Sequence, residues 1–129
     1  MLSNGNLMSG SRDSTIKTWD IQKGIVIKSL KIYSYWINIL IKSPLTNEII
    51  SCSFDNYGMV KLWDTKNGRL INELNGHSNS ACCLIIIESG VFTGYFVTGS
   101  FDKTIRLWTR LGKCVNILKG HTDWVRLQF

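Results

Sequence analysis

The chain has 129 residues, a single proline, four cysteines and a formal net charge of +6. A hydrophobic fraction of 44% suits one folded domain and excludes a disordered chain. No apolar run approaches the roughly 20 residues of a membrane helix, and residues 1–10 are polar rather than a secretion signal, so a soluble intracellular protein, cytoplasmic or nuclear, is expected.

Short alternating runs bounded by turn residues fill the chain in order. A strand over 7–11 ends in small residues; Asp13 and Ser14 turn the chain, and 15–19 form a second strand. Asp20 and Lys23-Gly24 make the next turn before a third strand at 25–30. The pattern returns with strands at 36–41, 48–53, 59–63 and 69–74, broken by Ser43-Pro44, Thr46-Asn47 and Lys66-Asn67-Gly68. A further round covers 82–87, 95–99, 104–108 and 114–118, and a last strand is expected over 124–129. No segment has the length or 3.6-residue period of a helix. Twelve short strands predict an all-β, antiparallel protein with no linker or second domain.

The rounds are copies. TGSFDKTIRLW at 98–108 is preceded by SCSFDNYGMVKLW at 51–63, and that by SGSRDSTIKTW at 9–19. Each copy has small hydroxyl residues, a turn Asp, an alternating strand and a Trp, so the chain reads as an internal repeat. Gly76-His77 and Gly120-His121 precede strands, and Trp19-Asp20 and Trp63-Asp64 end them. These features resemble the WD-repeat family of β-propellers, whose blades are four-stranded antiparallel sheets. The resemblance covers essentially the whole chain. It implies a partial propeller of about three blades: a partial blade at 6–31, full blades at about 36–74 and 81–118, and the first strand of a further blade at 123–129.

The resemblance also implies a hydrogen-bonded His, Ser or Thr, Asp and Trp within each blade. The third blade supplies His77, Thr98 or Ser100, Asp102 and Trp108; Thr109 replaces the Asp after that Trp. In the second blade Tyr33 stands where His is expected and two extra residues follow Asp55, leaving Ser51, Asp55 and Trp63 and a weaker blade. The first has Ser9, Asp13 and Trp19. A Ser, His and Asp trio also suits a hydrolase, but no nucleophile elbow accompanies it, and it recurs with partial loss as a structural device does. No enzyme activity is expected.

Cys52, Cys82, Cys83 and Cys114 lack the spacing of a zinc site and lie in strand-like runs, so free buried thiols are expected. His77 and His121 belong to different blades, and no metal or cofactor is expected. Lys17, Lys28, Lys42, Lys61, Arg106 and Lys119 never form a block; spread charge of this kind serves solubility and edge protection.

The resemblance implies a non-catalytic scaffold that binds protein or peptide partners through blade loops, with no membrane insertion. Arg12, Tyr35, Phe54, Phe101, Asp123 and Trp124, at strand entrances, are the contact residues expected; packing between blades is the competing role for the aromatic ones. A basic face that binds RNA or a phosphorylated ligand is the alternative function, and a truncated product without autonomous function a third. The C-terminal GHTDWVRLQF runs naturally into the N-terminal MLSNGNLMSGSRD. Two expectations follow: a piece of a longer propeller, which is preferred, or a homodimer in which two copies close a six-bladed ring.

Overall fold

Asp-rich turns and residues with positive φ decide where each strand stops. The computed structural model describes residues 5–31 and 35–127, and its three antiparallel sheets follow one another along the chain. The first holds β1 (Leu7–Gly10), β2 (Thr15–Asp20) and β3 (Ile25–Lys31). The second holds β4 (Trp36–Lys42), β5 (Glu48–Phe54), β6 (Val60–Asp64) and β7 (Leu70–Leu74). The third holds β8 (Ala81–Ile86), β9 (Phe96–Ser100), β10 (Ile105–Trp108) and β11 (Cys114–Leu118). Within each sheet the strands lie in sequence order. Strands β1, β4 and β8 run along one side of the molecule, where the sheets meet. No helix occurs among the described residues, so none is long and apolar enough to cross a membrane.

The turn between the second and third strands of the repeat needs one residue in the left-handed region. Ser14 (φ 69°), Gly58 (φ 59°) and Lys103 (φ 71°) occupy it. Register makes them equivalent, because Ile16, Val60 and Ile105 pair with Gly10, Cys52 and Gly99. The two residues inserted after Asp55 therefore lengthen this turn without shifting the ladder. In the second sheet the place goes to glycine for a steric reason: a Cβ on Gly58 would collide with the Asn79 carbonyl and the His77 side chain.

Period-two alternation divides each sheet's side chains between two faces, and the core lies between sheets. Ile50, Cys52, Val60, Leu62 and Leu74 of the second sheet pack on Ala81, Leu84, Ile86, Phe96 and Trp108 of the third. A smaller cluster joins the first two sheets, with Ile16 and Ile37 at its centre and Met8, Leu40 and Met59 around it. At roughly 1.5–3 kcal/mol per fully buried large apolar side chain, the second-to-third junction is the stronger one. Val97, Ile105 and Leu107 hold in the third sheet the places of Ile50, Val60 and Leu62. They are only half-buried.

The expected strand at 124–129 is not formed in its described part. Residues 124–127 have no ladder, and Gln128 and Phe129 lie outside the described residues. The segment is docked rather than paired. Val125 is 1% exposed, and its N–H donates to the Ser100 carbonyl at 3.2 Å. Val125 thus stands to Ser100 as Ile37, the second residue of β4, stands to Ser11. A strand needs a continuing row of partners, and no described strand lies beside residues 124–127 to supply it.

Candidate functional site

A tryptophan in the second half of each repeat points its indole N–H at a hydroxyl on the neighbouring strand. Trp19 Nε1 donates to Ser9 Oγ at 2.8 Å, Trp63 Nε1 to Ser51 Oγ at 2.9 Å and Trp108 Nε1 to Thr98 Oγ1 at 2.8 Å. Each pair lies on adjacent strands of one sheet, so the bond fixes register as well as burying the indole.

The third sheet extends this bond into a relay. Thr98 Oγ1 lies 2.7 Å from His77 Nε2, and His77 Nδ1 lies 2.8 Å from Asp102 Oδ2. A carboxylate only accepts, so Nδ1 carries the proton, and neutral Nε2 accepts from the Thr98 hydroxyl. Asp102 also accepts from Ser78 N at 3.0 Å, Thr104 N at 2.9 Å and Thr104 Oγ1 at 2.6 Å. Burial alone would raise its pKa, but the hydrogen bonds from Thr104, His77 and Ser78 outweigh it and hold the carboxyl down at about 2. Burial pushes the His77 pKa below its ordinary value, against the opposing pull of Asp102. Ser100 stands apart from the relay: its hydroxyl donates to the Asn79 carbonyl at 2.9 Å and accepts from Asp102 N at 3.0 Å.

The other two sheets hold their turn aspartates differently. Asp13 accepts from Thr15 N at 3.0 Å and Thr15 Oγ1 at 2.6 Å. Asp55 is buried, and accepts from Ser53 Oγ and from Tyr57 N at 2.8 Å. Neither is joined to its sheet's Trp–Ser pair by any bond described above. Tyr33, at the expected histidine position, lies outside the described residues. Thr15, Thr104 and Ser53 were not among the expected residues. The recurring D-x-T at Asp13-Ser14-Thr15 and Asp102-Lys103-Thr104 carried the signal for the two threonines.

At the same ends of the strands, four aromatic rings and a guanidinium form a continuous track across all three sheets. Arg12 Cζ sits 4.6 Å above the Trp36 ring. Trp36 stacks on Phe54 at 5.9 Å between centroids, Phe54 meets Phe101 edge-on at 5.5 Å, and Phe101 stacks on Trp124 at 4.0 Å. Of the expected contact residues, the track unites Arg12, Phe54, Phe101 and Trp124. Trp36 is the member that sequence reading missed. Tyr35 is exposed and lines, with Arg12, Trp36 and Phe54, a groove of about 470 Å³. Asp123 is exposed beside Trp124 and accepts from that residue's own backbone N–H at 2.8 Å. The rings pack on one another and still present surface: Trp36 is 46%, Phe54 41% and Trp124 61% exposed.

Comparison with known proteins agrees with this architecture. Residues 2–20 and 68–109 match the family described as WD domain, G-beta repeat. The nuclear distribution protein PAC1 of Arthroderma otae is 31% identical over 145 residues, covering 96% of this chain and 31% of that protein. The nuclear distribution protein nudF of Aspergillus niger is 31% identical over 138 residues, covering 93% of this chain and 31% of that protein. The chain therefore spans about a third of the length of these relatives. Three sheets with a Trp–hydroxyl bond in each, the turn aspartates and the sequence matches agree, and the chain belongs to the WD-repeat family.

Proposed function

We propose that this chain is a non-catalytic docking segment of a scaffold related to the nuclear distribution proteins, and that it acts inside the cell, in cytoplasm or nucleus. Its partners are polypeptides, held on the track from Arg12 through Trp36, Phe54 and Phe101 to Trp124. The continuity of that track supports the reading. Large rings on rigid strand ends offer contact area at low entropic cost, the pattern of interface hot spots. A non-catalytic role for the Ser/Thr, His and Asp set is supported by its closure: Thr98 is fully buried, and both His77 nitrogens are engaged. The three sheets are proposed to belong to a closed ring, since propellers close with about four to eight blades. The missing blades come from more of the same protein or from a second copy.

Selection of peptides from a random display library on the folded protein tests the reading. Enriched peptides should bind the wild type with affinity little affected by salt. Trp36→Glu and Phe54→Asp should weaken them at least about tenfold while leaving the melting temperature near the wild-type value. Equal binding by the folded variants would sink the proposal. Oligonucleotide binding that falls steeply with salt would instead favour the nucleic-acid reading.

A further inference from the structure

The inner strand of the third sheet carries two adjacent cysteines at a break in its ladder. Ala81 pairs with Ser100 and Cys83 with Gly99, so Cys82 is an extra residue that opposes nothing. Alternation normally sends neighbouring side chains to opposite faces of a strand; a bulge cancels that alternation. Both thiols accordingly reach one acceptor. Cys82 Sγ lies 2.9 Å and Cys83 Sγ 3.2 Å from the Val125 carbonyl oxygen. The two sulfurs are thus no farther apart than the sum of those distances. The second sheet has the same irregularity between Ile37 and Ile39, but Asn38 and Ile39 stand there, so the dithiol is specific to the third.

We infer that Cys82 and Cys83 form a bidentate site for a thiophilic centre, a trivalent arsenical or a soft metal ion, that bridges the two sulfurs. Soft thiolate donors select such centres. Among the described residues no cluster of three or more His, Cys, Asp or Glu side chains could hold a metal, so the ligand must be one satisfied by two sulfurs. Both residues are partly exposed, whereas Cys52 is fully buried. A direct disulfide between neighbours would have to bend this strand. A bridging atom joins the two sulfurs, which are free thiols and not bonded to each other, without requiring that bend.

With phenylarsine oxide the reaction is a condensation. Two As–S bonds form, the As–O bond and both S–H bonds break, and the oxygen leaves as water with the two thiol protons. No oxidation state changes. Val125 then loses both thiol donors, and residues 124–127, which hold Trp124 on Phe101, loosen. Burial raises both thiol pKa values, that of Cys82 to about 12. At neutral pH the thiols are therefore protonated donors to Val125 and slow toward monofunctional alkylating agents.

Titration of the full chain with phenylarsine oxide, read by intact mass and tryptophan fluorescence, tests the site. One equivalent should bind, resist excess mercaptoethanol, leave on addition of dithiothreitol and change the Trp124 emission. Cys82→Ser and Cys83→Ser keep a hydroxyl to donate to Val125, so they should fold with an unchanged far-ultraviolet spectrum. Each should bind at least about 100-fold more weakly, as loss of the second attachment predicts. Cys114→Ser should bind as the wild type does. Absence of uptake by the wild type, an adduct stripped by monothiol, or undiminished uptake by either folded serine variant would overturn the inference.

Discussion

Thr98 is the residue on which the third sheet's polar chemistry converges. Its hydroxyl accepts from Trp108 and donates to His77, so a near-isosteric valine would strand two buried groups at once. At about 1–3 kcal/mol for each buried group left unpaired, Thr98→Val should cost about 2–6 kcal/mol in chemical denaturation. Ser51→Ala, which takes the same acceptor from Trp63 where no histidine relay is described, should cost less. The relay also predicts a direction of acid sensitivity. Folding lowers the His77 pKa from its ordinary 6.5, so below that pH the unfolded chain binds the proton more readily. Stability due to neutral His77 is complete above 6.5 and is lost as the pH falls through the folded-state value. Asp102, depressed from 3.8 to about 2, contributes fully above 3.8 and loses its share only as the pH falls toward 2. The melting temperature should therefore drop in two stages on acidification. His77→Asn, which cannot titrate, should flatten the stage that sets in as the pH falls below 6.5.

Among the elements, the turns are where sequence and structure part company in an informative way. Gly24 and Gly58 both have positive φ, 68° and 59°, but open space surrounds Gly24 while Asn79 and His77 close on Gly58. Gly24→Ala should cost about 1–2 kcal/mol, the price of left-handed backbone alone. Gly58→Ala should cost more than about 3 kcal/mol, because the Asn79 backbone must also move; paired thermal melts measure the difference. The strand and turn order was legible because the same pattern is printed three times. The Trp–hydroxyl pairs were legible for the same reason. The strand at 124–129 was not: its residues suit a strand, but strand formation depends on a neighbour that composition does not reveal. The compensation at Asp55 was also hidden. Ser11, Ser53 and Ser100 all lie two residues before the turn Asp, yet they meet it differently: Ser53 donates its hydroxyl to the Asp55 carboxylate, whereas Ser11 and Ser100 accept from the backbone N–H of Asp13 and Asp102.

For the molecule as a whole, the polar relay and the aromatic track answer to different parts of the sequence. Relay members hold matching positions in their copies, so aligning the repeats exposes them. Trp36 meets Phe54 across β4 and β5, and the third copy has no tryptophan at the corresponding place. Arg12, Phe54 and Phe101 do match, each directly before its turn Asp, but that they join Trp36 and Trp124 in one track emerges only when the three sheets are set side by side. The same assembly leaves apolar surface at β3, where Ile25 and Ile27 are each 52% exposed on an outer strand that, among the described residues, pairs only with β2. Unpaired strand edges with exposed apolar side chains invite edge-to-edge association. The double variant Ile25→Lys/Ile27→Lys should raise the concentration at which light scattering detects aggregates, with little change in melting temperature.

The repeated indole bond gives each sheet a proton that records its own opening. Trp19, Trp63 and Trp108 each donate to a hydroxyl in their sheet, while Trp36 and Trp124 are largely exposed. In deuterated solvent the two exposed indole protons should vanish from the spectrum first. The other three should persist for times set by the local unfolding of the first, second and third sheets respectively. Their order of disappearance would rank the three blades within one sample, without a single substitution.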